Sequence, residues 1–128
     1  MQSMRIGSHV CILVLFLGCG QKTGPILSHG KPVSYWIEAL NALDVKERKK
    51  AVEALGHVGP VDSVVIPALV RAVKDRDAAV RGQAVLALLN IGPDAKEALP
   101  VLTEAQTDKD AKVREYAGKA IKRIEGDH

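Results

Sequence analysis

Over most of its length the chain repeats itself every 33 residues without a gap. Pro67 returns as Pro100, and Gly59-Pro60 returns as Gly92-Pro93. Asp44, Asp77 and Asp110 form one column, Arg48, Arg81 and Arg114 a second, and Ala51, Ala84 and Ala117 a third. Leu55, Leu88 and Ile121 align, as do Val58, Ile91 and Ile124, and residues 61–93 share 11 identities in 33 with residues 94–126. Such a period constrains the architecture more than any local propensity, because each unit is one small module that must stack on its neighbours to bury its apolar face.

Within a unit the apolar spacing predicts two helices. In the second unit an A helix runs from about Ser63 to Lys74, with Ile66, Leu69, Val70 and Val73 three and four residues apart on one face. Asp77 follows at an N-cap position, where its carboxylate can accept the N–H of Val80 and favour the positive helix end. The B helix then shows Val80, Ala84, Ala87, Leu88 and Ile91 on one face before Gly92-Pro93 stops it. Pro67 and Pro100 fit near an A-helix start, where a missing N–H costs little. The first unit carries Trp36, Ile37 and Leu40, then Val45, Ala51, Ala54, Leu55 and Val58; the third carries Leu99 and Leu102, then Val113, Ala117, Ala120, Ile121 and Ile124. Alanine on the B helices permits close axes. Gly82 inside a B helix costs up to about 1 kcal/mol relative to Ala, and close helix approach is its expected reason.

Composition agrees with stacked helices. Of 128 residues, 47% are hydrophobic but only 3% aromatic, which leaves Ala, Val, Leu and Ile to fill the core of one domain. Both cysteines, Cys11 and Cys19, fall before the repeats, so neither a disulfide framework nor a zinc framework can hold them. The net charge of +3 is spread in mixed signs and does not mark a dedicated polyanion binder.

On Pro67, Asp77, Val80 and Arg81, repeated as Pro100, Asp110, Val113 and Arg114, with Ala-Leu-Gly at Ala54 to Gly56, the units resemble HEAT repeats of the short kind seen in phycobilisome lyase-like proteins. The resemblance covers about Val33 to Glu125. It implies an all-α fold, a short right-handed α-solenoid of three helix hairpins, divided as repeat 1 (33–60), repeat 2 (61–93) and repeat 3 (94–128) with a polar capping helix. Glu47 stands where the other units have Val, and the period is shorter than the roughly 40 to 47 residues usual for the class. Neither the ankyrin signature nor the tetratricopeptide pattern can be laid on these columns. In the family the repeated Asp and Arg link successive units, which implies a structural ladder through Asp44, Asp77, Asp110, Arg48, Arg81 and Arg114.

Ahead of the repeats, Met4-Arg5 gives a cationic start and Val10 to Leu17 an unbroken apolar run, followed by Gly18-Cys19-Gly20. Eight helical residues rise only about 12 Å, against the roughly 30 Å of a bilayer core, so the run reads as a signal-peptide core and not as a span. Phe16-Leu17-Gly18-Cys19 resembles the lipobox of bacterial lipoprotein signals, departing at Phe16. That resemblance implies removal of residues 1–18, a diacylglycerol on the Cys19 thiol and export to a bacterial membrane, on the periplasmic or outer-membrane side. A plain secretory signal, giving a secreted protein, and a buried first helix are the alternatives. Residues 19–32, rich in Gly, Pro, Ser, Thr and Lys, read as a flexible tether.

Chemistry is sparse. His9, His29, His57 and His128 show no shared face, and there is no HExxH, no glycine-rich phosphate loop and no Ser-His-Asp spacing, so neither catalytic residues nor a metal nor a cofactor is expected. Trp36 shares a column with Leu69 and Leu102 and is expected in the core; Tyr35 falls with Ala68 and Val101. If the B helices line the concave side, the positions free of the apolar stripe form the candidate binding face: Lys46, Lys49 and Lys50 from the first unit, Gln83, Leu86 and Asn90 from the second, Tyr116 and Lys119 from the third. A neutral floor between basic rims suits an extended segment with apolar anchors and acidic flanks. The chain is thus expected to be a monomeric, non-catalytic module for an unknown protein or peptide. An accessory or chaperone-like subunit of a lyase or other enzyme complex is the alternative, and nucleic acid is disfavoured because export would separate it from the chain.

Overall fold

A computed structural model describes residues 25–126, which form three stacked helical hairpins behind a small β-hairpin. The A and B helices of the first unit are α1 (Val33–Ala39) and α2 (Val45–Val58); those of the second are α3 (Val65–Ala72) and α4 (Ala78–Ile91); those of the third are α5 (Leu99–Ala105) and α6 (Ala111–Glu125). The fold is an all-α solenoid. The A helices are shorter than the apolar period suggests: α3 starts after a turn in which Asp62 Oδ1 accepts the N–H of Val64, and it ends where Lys74 N–H bonds the Arg71 carbonyl.

Each B helix begins on its aspartate. Asp77 Oδ1 accepts N–H groups from Ala79 at 2.8 Å and Val80 at 3.2 Å, Asp110 Oδ1 accepts those of Lys112 and Val113, and Asp44 Oδ1 accepts that of Lys46. These bonds satisfy amide donors that the helix itself leaves unpaired. The first two B helices end on Gly59 (φ 64°) and Gly92 (φ 74°), in a backbone region that a Cβ disfavours. Pro60 and Pro93 then open 3₁₀ turns at Gly59–Val61 and Gly92–Ala98 that lead into the next A helix.

The B helices stack chiefly on one another, with α4 between α2 and α6. Leu55, Leu69, Leu88, Leu102 and Ile124 are completely or almost completely buried, and Trp36 is buried with them. Val52 and Val85, outside the single stripe read for each B helix, are fully buried as well, because these helices are covered on more than one side. The close approach falls at Gly56, where a Cβ would lie 3.1 Å from Ala87 Cβ. Gly82 is different: a Cβ there would meet only Val113 Cγ2 at an ordinary 3.8 Å, so crowding does not account for this glycine.

The tether expected over 19–32 needs correction where it is described. Leu27–Ser28 (β1) pairs antiparallel with Lys31–Pro32 (β2), with Leu27 opposite Pro32. Ser28 Oγ donates to the Ala54 carbonyl at 2.9 Å, and Trp36 Nε1–H donates to the Ser28 carbonyl at 2.8 Å, so the strand is fastened to α2 and α1. Residues 1–24, including Cys19 and the signal-like segment, lie outside the described residues, as do 127 and 128. No helix among the described residues is long and apolar enough to cross a membrane.

Candidate interaction surface

Two of the three repeated arginines, Arg48 and Arg81, are rungs between units, with partners other than the repeated N-cap aspartates. Arg48, near the start of α2, holds Asp75 in the α3–α4 turn: Nε donates to Oδ2 at 2.9 Å and Nη2 to Oδ1 at 3.2 Å. Arg81 repeats the geometry on Asp108 in the α5–α6 turn, at 2.9 and 3.0 Å. In all three units Nη1 of the arginine donates to two carbonyls of its own A–B turn, those of Ala42 and Leu43, Asp75 and Arg76, and Asp108 and Lys109. Asp44, Asp77 and Asp110 therefore cap their own helices and do not link units. Arg114 has no carboxylate partner among the described residues. Asp75 and Asp108 were the overlooked members, although they stand one period apart; the first unit has Ala42 in that column.

The rungs join successive repeats, and the second one shifts the titration of both its partners. The hydrogen bonds that Arg81 donates to Asp108 raise its pKa against the effect of burial. Burial pushes the Asp108 carboxyl up, yet Arg81, the N–H of Asp110 and the charge of Lys109 together hold it below its ordinary 3.8.

Across the B helices runs a groove of about 700 Å³, lined by Lys49 of α2, by Ala78, Ala79, Gly82, Gln83 and Leu86 of α4, and by Asp110, Ala111, Lys112 and Tyr116 at the start of α6. Four residues of the sequence-derived face, Lys49, Gln83, Leu86 and Tyr116, lie on its walls. Lys46, Lys50, Asn90 and Lys119 are exposed but outside it. Leu86 is half-buried and not fully outward. Lys119 is paired with Glu115 at 2.6 Å, a contact that lowers the Glu115 pKa and raises that of Lys119 and leaves less free charge on this rim. Lys46, Lys49 and Lys50 on α2, and Lys112 on α6, make no ion pair among the described residues.

The histidines also differ from expectation. His29 and His57 do share a face: their rings lie 5.2 Å apart, brought together by a hairpin that no local sequence signal announces.

A family model for HEAT repeats matches residues 33–122, and the chain belongs to that family. Among solved structures it is similar to the CpcE–CpcF complex of phycocyanin lyase from Nostoc sp. PCC7120, at 25% identity and TM-score 0.65 over 80% of this chain and 39% of that one. It also resembles an engineered protein from the Northeast Structural Genomics Consortium, at 26% identity and TM-score 0.62 over 74% of this chain and 46% of that one. A designed armadillo repeat protein in complex with the peptide (KR)4 shares the fold, at 21% identity and TM-score 0.61 over 72% and 46%. The chain spans less than half the length of each of these. No curated protein matches it significantly.

Proposed function

We propose that this HEAT-repeat chain is a non-catalytic interaction module that holds an extended segment of a partner protein in the groove across α2, α4 and α6, and that it works tethered to a bacterial membrane through a lipid on Cys19. The observation that carries the proposal is the groove itself: an apolar floor of Ala78, Ala79 and Gly82 with Leu86 beside Tyr116, flanked by Lys49 and Lys112. Apolar side chains supply affinity and the lysines steer encounter, so the segment that fits has one or two aliphatic anchors flanked by Asp or Glu. That charge preference is opposite to the basic peptide held by the designed armadillo protein. Selection from a displayed peptide library on the full chain tests the assignment: acidic-flanked aliphatic sequences should be enriched and lost with Leu86→Glu, whereas enrichment of basic sequences indifferent to Leu86→Glu would refute it.

The membrane part rests on the apolar run ending at Gly18-Cys19 and is tested separately. Intact mass of membrane-extracted protein should show a chain starting at diacylated Cys19, and Cys19→Ala should prevent its formation; an unmodified chain starting elsewhere would contradict the anchor. A second reading, an accessory subunit of an enzyme complex, draws on the likeness to CpcE–CpcF. Stoichiometric copurification of an enzyme whose activity requires this chain would favour it.

A further inference from the structure

Ser28, docked on Ala54, leads directly into His29, which adopts φ 51° and is the one side-chain-bearing described residue in the left-handed region. That conformation is uncommon for a residue with a Cβ. Here it turns the imidazole back over α2, where its ring meets His57 at 5.2 Å and the edge of Trp36 at 6.1 Å, with Ser28 Oγ at 3.2 Å from its Nδ1. Glu53 stands one helical turn before His57 on α2. One nitrogen from each histidine and one carboxylate oxygen of Glu53 all lie within 4.8 Å of one another.

We propose that His29, Glu53 and His57 bind a first-row transition-metal dication of the zinc class. Two imidazoles and one carboxylate suit zinc, copper or nickel, whereas magnesium and calcium favour oxygen-only sets. Bonds of about 2.0 to 2.2 Å in a tetrahedron place ligand atoms roughly 3.3 Å apart, so the three groups close by at most about 1.5 Å. All three side chains are exposed, and the His29 ring keeps Nε2 for the ion while Nδ1 stays on Ser28 Oγ. Three protein ligands leave a fourth position to water or to a donor from a bound molecule, beside a shallow apolar recess formed by Ile26, Leu27, Val58 and Val61. The ion would bolt the β-hairpin to α2 and so fix where the preceding segment meets the repeats. This site is independent of the groove.

The test is calorimetric titration of zinc sulfate into the detergent-solubilised full chain after chelator treatment, with thermal unfolding alongside. One zinc should bind and raise the unfolding midpoint, because the ion binds the folded arrangement only. His29→Gln and His57→Gln should each weaken binding by about tenfold or more and cancel the rise, and Glu53→Gln should weaken it too. The imidazole NMR signals of His29 and His57 should shift on zinc addition and not on magnesium addition. Absence of saturable zinc binding overturns the proposal. So does binding that both histidine variants leave unchanged, since the ion would then sit on other groups.

Discussion

Arg48 and Asp75, 27 residues apart, form a two-point ion pair inside the stack, with Arg48 only 2% exposed and both carboxylate oxygens engaged. Together with the Ala42 and Leu43 carbonyls, Asp75 engages all three guanidinium nitrogens, so a charged side chain sits in the interior with no nitrogen left unpartnered. Arg81 and Asp108 copy the arrangement one repeat on. Successive hairpins are thus joined by apolar burial and by one directional polar clamp per junction, which sets their relative register.

Removing one side of the clamp should be costly. Arg48→Ala removes the buried cation paired with Asp75, leaving Oδ1 only the N–H of Asp77 and Oδ2 and two carbonyls without their donor, and should destabilise by about 3 to 5 kcal/mol. Arg114→Ala removes only two bonds to carbonyls at an exposed site and should cost about 1 kcal/mol. Urea unfolding of both variants checks the difference, and equal losses would mean that the clamp does not stabilise the junction.

The clamp also predicts an acid dependence. Because the Asp108 carboxyl is held below 3.8 when folded, the unfolded chain binds a proton more readily, and the stabilisation is present above 3.8 and lost as pH falls through the lower folded value. Asp108→Asn should therefore be less stable than the parent near neutrality, with the gap narrowing as pH falls below 3.8. Urea midpoints of the two proteins across the acid range measure that gap; a gap independent of pH would contradict the lowered carboxyl.

Two helical glycines should respond in opposite ways to alanine. Gly82→Ala meets Val113 at ordinary contact distance and should gain up to about 1 kcal/mol from helix propensity. Gly56→Ala drives its Cβ to 3.1 Å from Ala87 and should show no such gain. Thermal unfolding midpoints rank the pair.

The hairpin offers a local test, since Trp36 is the one tryptophan of the chain. Ser28→Ala removes the bond to the Ala54 carbonyl and should cost about 1 kcal/mol, with a change in Trp36 emission as the strand loosens. Unchanged emission and stability would mean that the strand is held by other contacts.

What the sequence revealed and what it hid have separate physical causes. The helices, their aspartate caps and the glycine stops are local and recur one period apart, so Asp77 and Gly92 are recognisable from their neighbours alone. Arg48 stands out as a column, but its partner Asp75 belongs to a column whose first place is taken by Ala42, and two occurrences gave too little pattern to assign a role. Val52 and Val85 escaped a one-face reading because the B helices are covered on several sides. The hairpin is least legible of all: two-residue strands carry no alternation, and β1 is held by Ala54 and Trp36, contacts that no local signal announces. His29 was lost with it. The groove was half legible, since its walls include Lys49, Gln83, Leu86 and Tyr116, while the pairing of Lys119 with Glu115 depends on side-chain placement.

Whether a partner segment lies in the B-helix groove is decided by titrating a library-selected, fluorescently labelled peptide against the parent chain, Leu86→Glu and Arg71→Glu. Leu86 lines the groove, whereas Arg71 is an exposed A-helix residue away from it. Loss of a central anchor contact of about 2 kcal/mol or more should weaken binding at least about thirtyfold in Leu86→Glu and leave Arg71→Glu near the parent value. The reverse order, with Arg71→Glu crippled and Leu86→Glu intact, would place the site on the A-helix side and contradict the account.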